Sequence, residues 1–233
     1  MEFSLHRQLK ARYAPDAAST EVTLGCYRID AVRRNGQLVE VQFASLSAIS
    51  RKVERLLADG HRVLVVKPLV ERRYLVRQDL PDGPVVSKRW SPHRGSGMDV
   101  FEELVFFRNL FPHPNLTIEA PLVKVEEWRL PAKSRRRKHA QSYRINDVRL
   151  SEIVATHRLK TANDLWKMVP STELPDEFTT SDLMRCWSCR RWIAQRAAYS
   201  LRHAGAITAT RRVRGGWVYE VTKRSHRVLR AAA

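Results

Sequence analysis

The spacing of apolar positions changes along the chain, and those changes outline its elements. Leu5, Leu9 and Tyr13 recur every four residues, which predicts a helix over Phe3 to Tyr13 that ends at Pro15. Thr20 to Arg33 reads as one or two strands with a break at Gly25. Asn35-Gly36 is a turn signal, and Gln37 to Phe43 is the next strand. Ser47 caps a helix running to about Ala58, with Ile49, Val53 and Leu56 on one face and Gly60 as its stop. Arg62 to Val66 is a buried strand closed by Pro68, and Glu71 to Arg77 is a further strand. Met98 to Leu110 is a helix with Val100, Leu104 and Phe107 on one face. Helix, three strands, helix and strand make a mixed α/β unit.

A second pattern follows. Thr161 to Val169 reads as a helix, with Leu165 and Trp166 apolar. FTTSDLMRCW opens another, capped by Thr180 or Ser181 ahead of Asp182. SCRRWIAQRAAYSLRHAGAI is a long helix with Trp192, Ala198 or Tyr199, and Leu201 on its buried stripe, closed by Gly205. ITATRRV and GWVYEVT are two strands around Arg214-Gly215-Gly216. Between the two patterns, the run Lys133-Ser-Arg135-Arg136-Arg137-Lys138 follows Pro131 and lacks apolar residues. The chain therefore divides into a first domain over 1–130, a basic linker or loop over 131–146, and a second domain over 147–233.

Composition narrows the partners. Forty-two Lys and Arg face 24 Asp and Glu in 233 residues, a net charge of +18. Such an excess points to polyanions, nucleic acid before anionic membrane. Twelve of the basic residues lie from Arg185 onward against one acid, Glu220, and they are interleaved with Trp187, Trp192, Tyr199, Trp217 and Tyr219. No apolar stretch approaches the roughly 20 residues that span a bilayer. The opening MEFSLHRQLKARYA has no apolar signal region, and three Cys do not make a disulfide framework, so a cytoplasmic setting is expected. Cys186 and Cys189 form a single CxxC without a second ligand pair and read as packing residues.

Three polar residues interrupt the first domain's apolar strands. Asp30 follows Ile29, while Glu40 and Gln42 flank Val41. Residues i and i+2 of a strand share a face, so Glu40 and Gln42 point the same way. The hairpin loop decides whether Asp30 joins them. A two-residue loop at Asn35-Gly36 turns Asp30 away from Glu40. A three-residue loop, Arg34-Asn35-Gly36 with Gly36 left-handed, pairs positions summing to 70 and sets Asp30 opposite Glu40. That register also gathers Ile29, Ala31, Val39, Val41 and Phe43 on one apolar face, and a slip by one would bury both carboxylates in the core. The three-residue loop is therefore expected. Two carboxylates on one face suit a Mg2+ ion between them. Spacing alone fits equally well two exposed residues on a solvated strand.

Ile29-Asp30, a hairpin, Val39-Glu40-Val41-Gln42, a helix and an apolar strand together resemble the restriction-endonuclease-like, or PD-(D/E)XK, superfamily over residues 1 to 78. EVQFASLSAISRKVERL is similar to its Glu-X-Gln subgroup. The resemblance implies a mixed-sheet core of order αβββαβ. It also implies a Mg2+ (or Mn2+) cofactor held by Asp30 and Glu40, with phosphodiester hydrolysis as the activity. The superfamily usually has Lys where this chain has Gln42. Gln42 would orient water without supplying charge, and Lys52 in the next helix would supply the charge. Glu21, His6 and Lys10 are accessory candidates. Lys88, Arg89 and Arg94 lie in a basic segment, Ser87 to Asp99, expected to be a flexible loop touching phosphate. Residues 147 to 224 resemble a winged helix-turn-helix. That likeness implies DNA contact by Arg190, Arg191, Gln195 and Arg202 on the long helix, and by Arg211, Arg212 and Arg214 on the wing. The whole chain resembles an uncharacterised bacterial family with such a core and a basic C-terminal domain. Nucleases of this class often act as dimers, which makes a homodimer an expectation too. The functions implied are a Mg2+-dependent DNA endonuclease or a DNA-binding regulator whose nuclease-like domain is inactive.

Overall fold

The computed structural model describes residues 2–14, 16, 19–132, 143–171 and 173–222. The first elements follow the order helix, three strands, helix, strand: α1 (Ser4–Tyr13), β1 (Thr20–Leu24), β2 (Tyr27–Val32), β3 (Leu38–Val41), α2 (Ser50–Ala58) and β4 (Val63–Val66). The hairpin between β2 and β3 pairs Ala31 with Val39 and Val32 with Leu38, the register of the three-residue loop. Gly36 sits at φ +75°, where a side chain would be strained, and its N–H donates to the Arg33 carbonyl at 2.8 Å. Ser45, rather than Ser47, caps the turn Leu46–Ala48 that precedes α2. Pro15 lies outside the described residues.

The chain continues through β5 (Leu69–Gln78), β6 (Val85–Arg94), the short helix α3 (Val100–Leu104), β7 (Leu116–Pro131) and β8 (Tyr143–Leu159). These complete a mixed eight-stranded sheet. β7 is its spine. Along one edge it pairs in parallel first with β4 and then with β5, and along the other it pairs antiparallel with β8. β3 and β6 flank β4 and β5 respectively on the side away from β7.

Both faces of the sheet are covered, which is why β3 and β4 are buried at every position. On one face Ala31, Val39, Val41, Leu64 and Val66 pack with Leu5 and Leu9 of α1. On the other, Leu38, Val63 and Val65 pack with Val53 and Leu56 of α2 and with Phe101 and Phe107. Ile29 joins this second cluster rather than the first, contrary to the expected face. The reason is local: β2 joins the β3 ladder only at Ala31, and before it the Asp30 carboxylate takes the Val41 N–H at 2.8 Å.

Several expected elements differ. Pro131 and Tyr143 are paired across one hairpin, so the domain boundary does not fall at 131–146, and β8 belongs to the first unit. The basic run Lys133 to Lys138 lies outside the described residues. Ser87 to Asp99 is not a flexible loop, because most of it is β6, held by a ladder to β5. Met98 to Leu110 breaks into 3-10 and α turns, and Ala162–Met168 is a 3-10 helix.

The C-terminal unit comprises β9 (Glu177–Phe178), α4 (Thr180–Cys186), α5 (Arg191–His203), β10 (Ile207–Val213) and β11 (Gly216–Val221). Its three strands order as β10-β11-β9. Thr179, one residue before the expected cap, forms a capping box with Asp182. The buried stripe of α5 is Ala194, Ala197, Ala198 and Leu201, whereas Trp192 is exposed. These alanines let α5 approach closely, and its core is continuous with Phe101 and Phe107 of the first unit. Arg196 bonds Glu102 at 3.1 Å and Arg108 bonds Tyr199 at 2.9 Å across the same boundary.

Gly95, at the end of β6, fixes how the β5–β6 hairpin meets α3. A Cβ there would run into the Val70 carbonyl oxygen and stand 2.6 Å from Asp99 Oδ2. Gly95→Ala is expected to lower stability by about 1–3 kcal/mol, read as a shifted urea midpoint. An unchanged midpoint would show that this junction yields freely.

Candidate functional site

Five elements, α1, β1, β2, β3 and α2, bring the first-domain candidates into one polar network. α1 presents His6 and Lys10, one turn apart. His6 Nε2 is 3.4 Å from Asp30 Oδ2, and its Nδ1 is 3.2 Å from Glu2. Lys10, only 7% exposed, pairs with Glu2 at 2.6 Å and with Glu21 of β1. Glu21 also pairs with Arg28. From β3, Glu40 reaches Lys52 Nζ of α2 at 2.6 Å, and Lys52 donates as well to the Arg28 carbonyl. Carboxylates and cations thus alternate from α1 to α2.

Glu40 is 3% exposed, so the solvated-strand alternative does not hold for it. Burial pushes its carboxyl up to about 7, aided by the neighbouring Asp30 charge and opposed by Lys52. Asp30 goes the other way. Burial would raise it, but the hydrogen bonds from His6 and the Val41 N–H, with the charge of Lys10, hold it below the usual carboxylate range. Lys10 is raised: burial disfavours its charge, yet Glu2 and Glu21 outweigh that cost. Two neighbouring carboxylates pushed in opposite directions are a common mark of a working site.

Gln42 stands apart from this network. Its amide Nε2 donates to the Ser45 carbonyl at 2.9 Å. Two residues that sequence reasoning missed hold the same segment. Lys67, 5% exposed, donates to the carbonyls of Phe43 at 2.9 Å and Ala44 at 2.6 Å. Its partner Glu103, 3.2 Å away, accepts the Leu46 N–H at 2.7 Å. The signal was present as a lysine closing the apolar run Val63 to Val66 just before Pro68. For a divalent cation the donors in reach are the carboxylates of Asp30 and Glu40, hard oxygens of the type Mg2+ takes along with water. Among the described residues no three His, Cys, Asp or Glu converge as a metal group, and the cation beside Glu40 is Lys52.

The candidate nucleic-acid residues are all exposed. Arg190 precedes α5, and Arg191, Gln195 and Arg202 lie along it. The Arg202 guanidinium lies 5.6 Å from the ring centre of the exposed Trp217. Arg211 is bonded to Glu177, while Arg212 and Arg214 make no ion pair among the described residues. Lys88, Arg89 and Arg94 project from β6.

The buried, lysine-paired Glu40 and the part-buried Asp30 thus sit on a mixed α+β sheet beside a small basic unit. The chain belongs to the family described as Domain of unknown function (DUF8091), which matches residues 3–160. That span ends with β8 and agrees with a sheet that reaches Leu159. An uncharacterized protein of Treponema pallidum (strain Nichols) is 30% identical over 182 residues, covering 78% of this chain and 71% of that one. No solved structure matches the chain. Among the described residues no helix is long and apolar enough to cross a membrane.

The raised Glu40 carboxyl fixes a pH dependence. The folded state keeps a proton up to about pH 7 that the unfolded state releases near the ordinary value of 4.5. Glu40's contribution to stability is therefore full below about pH 4.5 and lost as pH rises toward 7. In Glu40→Gln this slope should vanish. The wild type's stability relative to the variant should fall by on the order of 3 kcal/mol across that window. Urea unfolding of both proteins at pH 5 and pH 8 checks this, and parallel pH profiles would refute it.

Proposed function

We propose that the chain is a Mg2+-dependent DNA phosphodiesterase of the restriction-endonuclease-like kind, with a winged helix that holds DNA. The observation that carries this reading is the buried Glu40, paired with Lys52 and under the charge of Asp30, whose own carboxylate accepts the neighbouring Val41 N–H. Mg2+ or Mn2+ held by Asp30 and Glu40 would neutralise charge on the phosphodiester and activate water. His6 and the Val41 N–H keep Asp30 ionised and oriented. Lys52, paired with Glu40, would supply the positive charge that the superfamily's strand lysine usually provides. Gln42, anchored through Nε2 on Ser45, has Oε1 left to orient a water. Lys67 and Glu103 hold the loop that links these residues.

The order α4, α5 and a two-stranded hairpin supports the winged-helix reading of the C-terminal unit. Arg191, Gln195 and Arg202 form one side of α5, next to the flank engaged by Glu102. Arg212 and Arg214 extend the cationic surface onto the wing.

A second reading, a DNA-binding regulator without catalysis, draws on two observations. Gln42 replaces the usual Lys, and Lys52 already occupies the position beside Glu40 that a metal ion would share. Plasmid nicking with Mg2+ or Mn2+ separates the two. The phosphodiesterase reading expects nicking by the wild type and its loss in both Asp30→Ala and Glu40→Ala. DNA binding without nicking by the wild type would favour the regulator, and equal nicking by all three proteins would remove Asp30 and Glu40 from the chemistry.

The DNA-holding role has its own test. Replacing Arg191 and Arg202 together by Ala should weaken duplex binding and reduce the slope of log affinity against log salt by about 2. An unaltered slope would place the DNA elsewhere.

A further inference from the structure

The β5–β6 hairpin carries an aromatic and cationic surface that neither the carboxylate site nor the C-terminal unit uses. Every residue of β6 except Ser91 is exposed to solvent. Tyr74 and Trp90 are cross-strand partners with ring centroids 4.9 Å apart. The Arg72 guanidinium lies 4.7 Å from the centre of the Trp90 ring, and Trp90 is still 46% exposed. Lys88, Arg89 and Arg94 project from the same strand and make no ion pair among the described residues. Tyr74, Trp90 and Arg72 together form a ring surface open to solvent on this hairpin. The uncompensated cations around it call for a polyanion, and flat rings beside guanidinium and ammonium groups match the stacked bases and phosphates of a nucleic acid.

The rings also say which kind. In a duplex the base faces are hidden by their neighbours, so an aromatic platform gains only from unpaired bases. The hairpin's location fits such a strand. β3, with Glu40, and β6 lie on the same flank of the continuous line of β4 and β5. Val66, opposite Val41, and Arg72, opposite Arg94, are six residues apart, about 20 Å of extended chain. A strand passing the end of β3 meets the hairpin next.

We propose that the β5–β6 hairpin binds unpaired nucleotides, with Trp90 and Tyr74 stacking on bases while Lys88, on the same face as Trp90, and Arg94 hold phosphates. The proposal rests on the nucleic-acid reading above and makes a nucleic acid with a single-stranded segment the substrate class of the Asp30–Glu40 site. It does not depend on cleavage. The test is therefore equilibrium binding without metal, using a labelled oligothymidylate and a duplex of equal length. Trp90→Leu keeps apolar cover on the strand but removes the ring. It should weaken single-strand binding about tenfold and leave duplex binding unchanged. Trp90→Phe should recover most of the loss. Far-UV dichroism of each variant verifies the fold. If Trp90→Leu does not fold, Tyr74→Leu takes its place with the same expectations. Equal single-strand binding by Trp90→Leu and wild type would overturn the proposal, as would equal losses for single strand and duplex. A loss on replacing Lys88 and Arg94 by Ala with none for Trp90→Leu would reduce the hairpin to a phosphate contact and overturn stacking. Because metal is absent, the outcome stands apart from any failure of the nicking experiment.

Discussion

One buried carboxylate organises the first unit. Glu40 is the one charged residue of the fully buried strand β3, with 3% of its surface exposed. A lone charge there would cost several kcal/mol, so the fold must bring it a partner or keep it protonated. It does both in part: burial raises the carboxyl to about 7, and Lys52 arrives from α2 to oppose that rise. For Lys52 to arrive, α2 must start at a fixed distance from β3. The Ser45 cap, the 3-10 turn Leu46–Ala48 and the Lys67–Glu103 pair set that distance. Asp30 contributes from the other side, since its carboxylate takes the Val41 N–H where the β2–β3 ladder ends.

The long strand β7 joins this site to the rest of the molecule. It supports β4, which flanks the Glu40 strand, and β5, which carries the exposed hairpin, along a single edge. The cluster beneath the sheet then runs without a break through Phe101 and Phe107 to Ala197 and Leu201 of α5. The basic unit is packed on the sheet's own core, so the cationic side of α5 is held against a rigid body. Glu102 and Arg108 engage Arg196 and Tyr199 on one flank of that helix, and Arg191, Gln195 and Arg202 remain open to solvent.

The features legible in the sequence are those governed by local rules. The period-four face of α1, the break at Gly25, the turn at Asn35-Gly36 and the apolar run of β4 each depend on neighbours a few residues away. The β2–β3 register was legible for the same reason: one left-handed glycine and the alternation of Ala31, Val39 and Val41 leave a single consistent pairing. β6 and β8 were not legible. Their residues are charged and largely exposed, and only the ladders to β5 and β7 make them strands. The partition at 131–146 followed charge, whereas the backbone pairs Pro131 with Tyr143. Trp192 was assigned to the buried stripe of α5 by its chemistry, but alanines fill the close approach there.

The site divides along the same line. The sequence by itself determined the element order from α1 to β4, the hairpin register that pairs Ala31 with Val39, and a lysine on the following helix. Only the tertiary structure decided that Glu40 is buried, that Lys52 pairs with it, that Gln42 anchors on Ser45, and that Lys67 and Glu103 brace the loop. Backbone conformation and strand alternation are settled over a few residues. The burial and pairing of a charge depend on which distant segments pack around it, and Lys67 and Glu103 meet only once both faces of the sheet are covered.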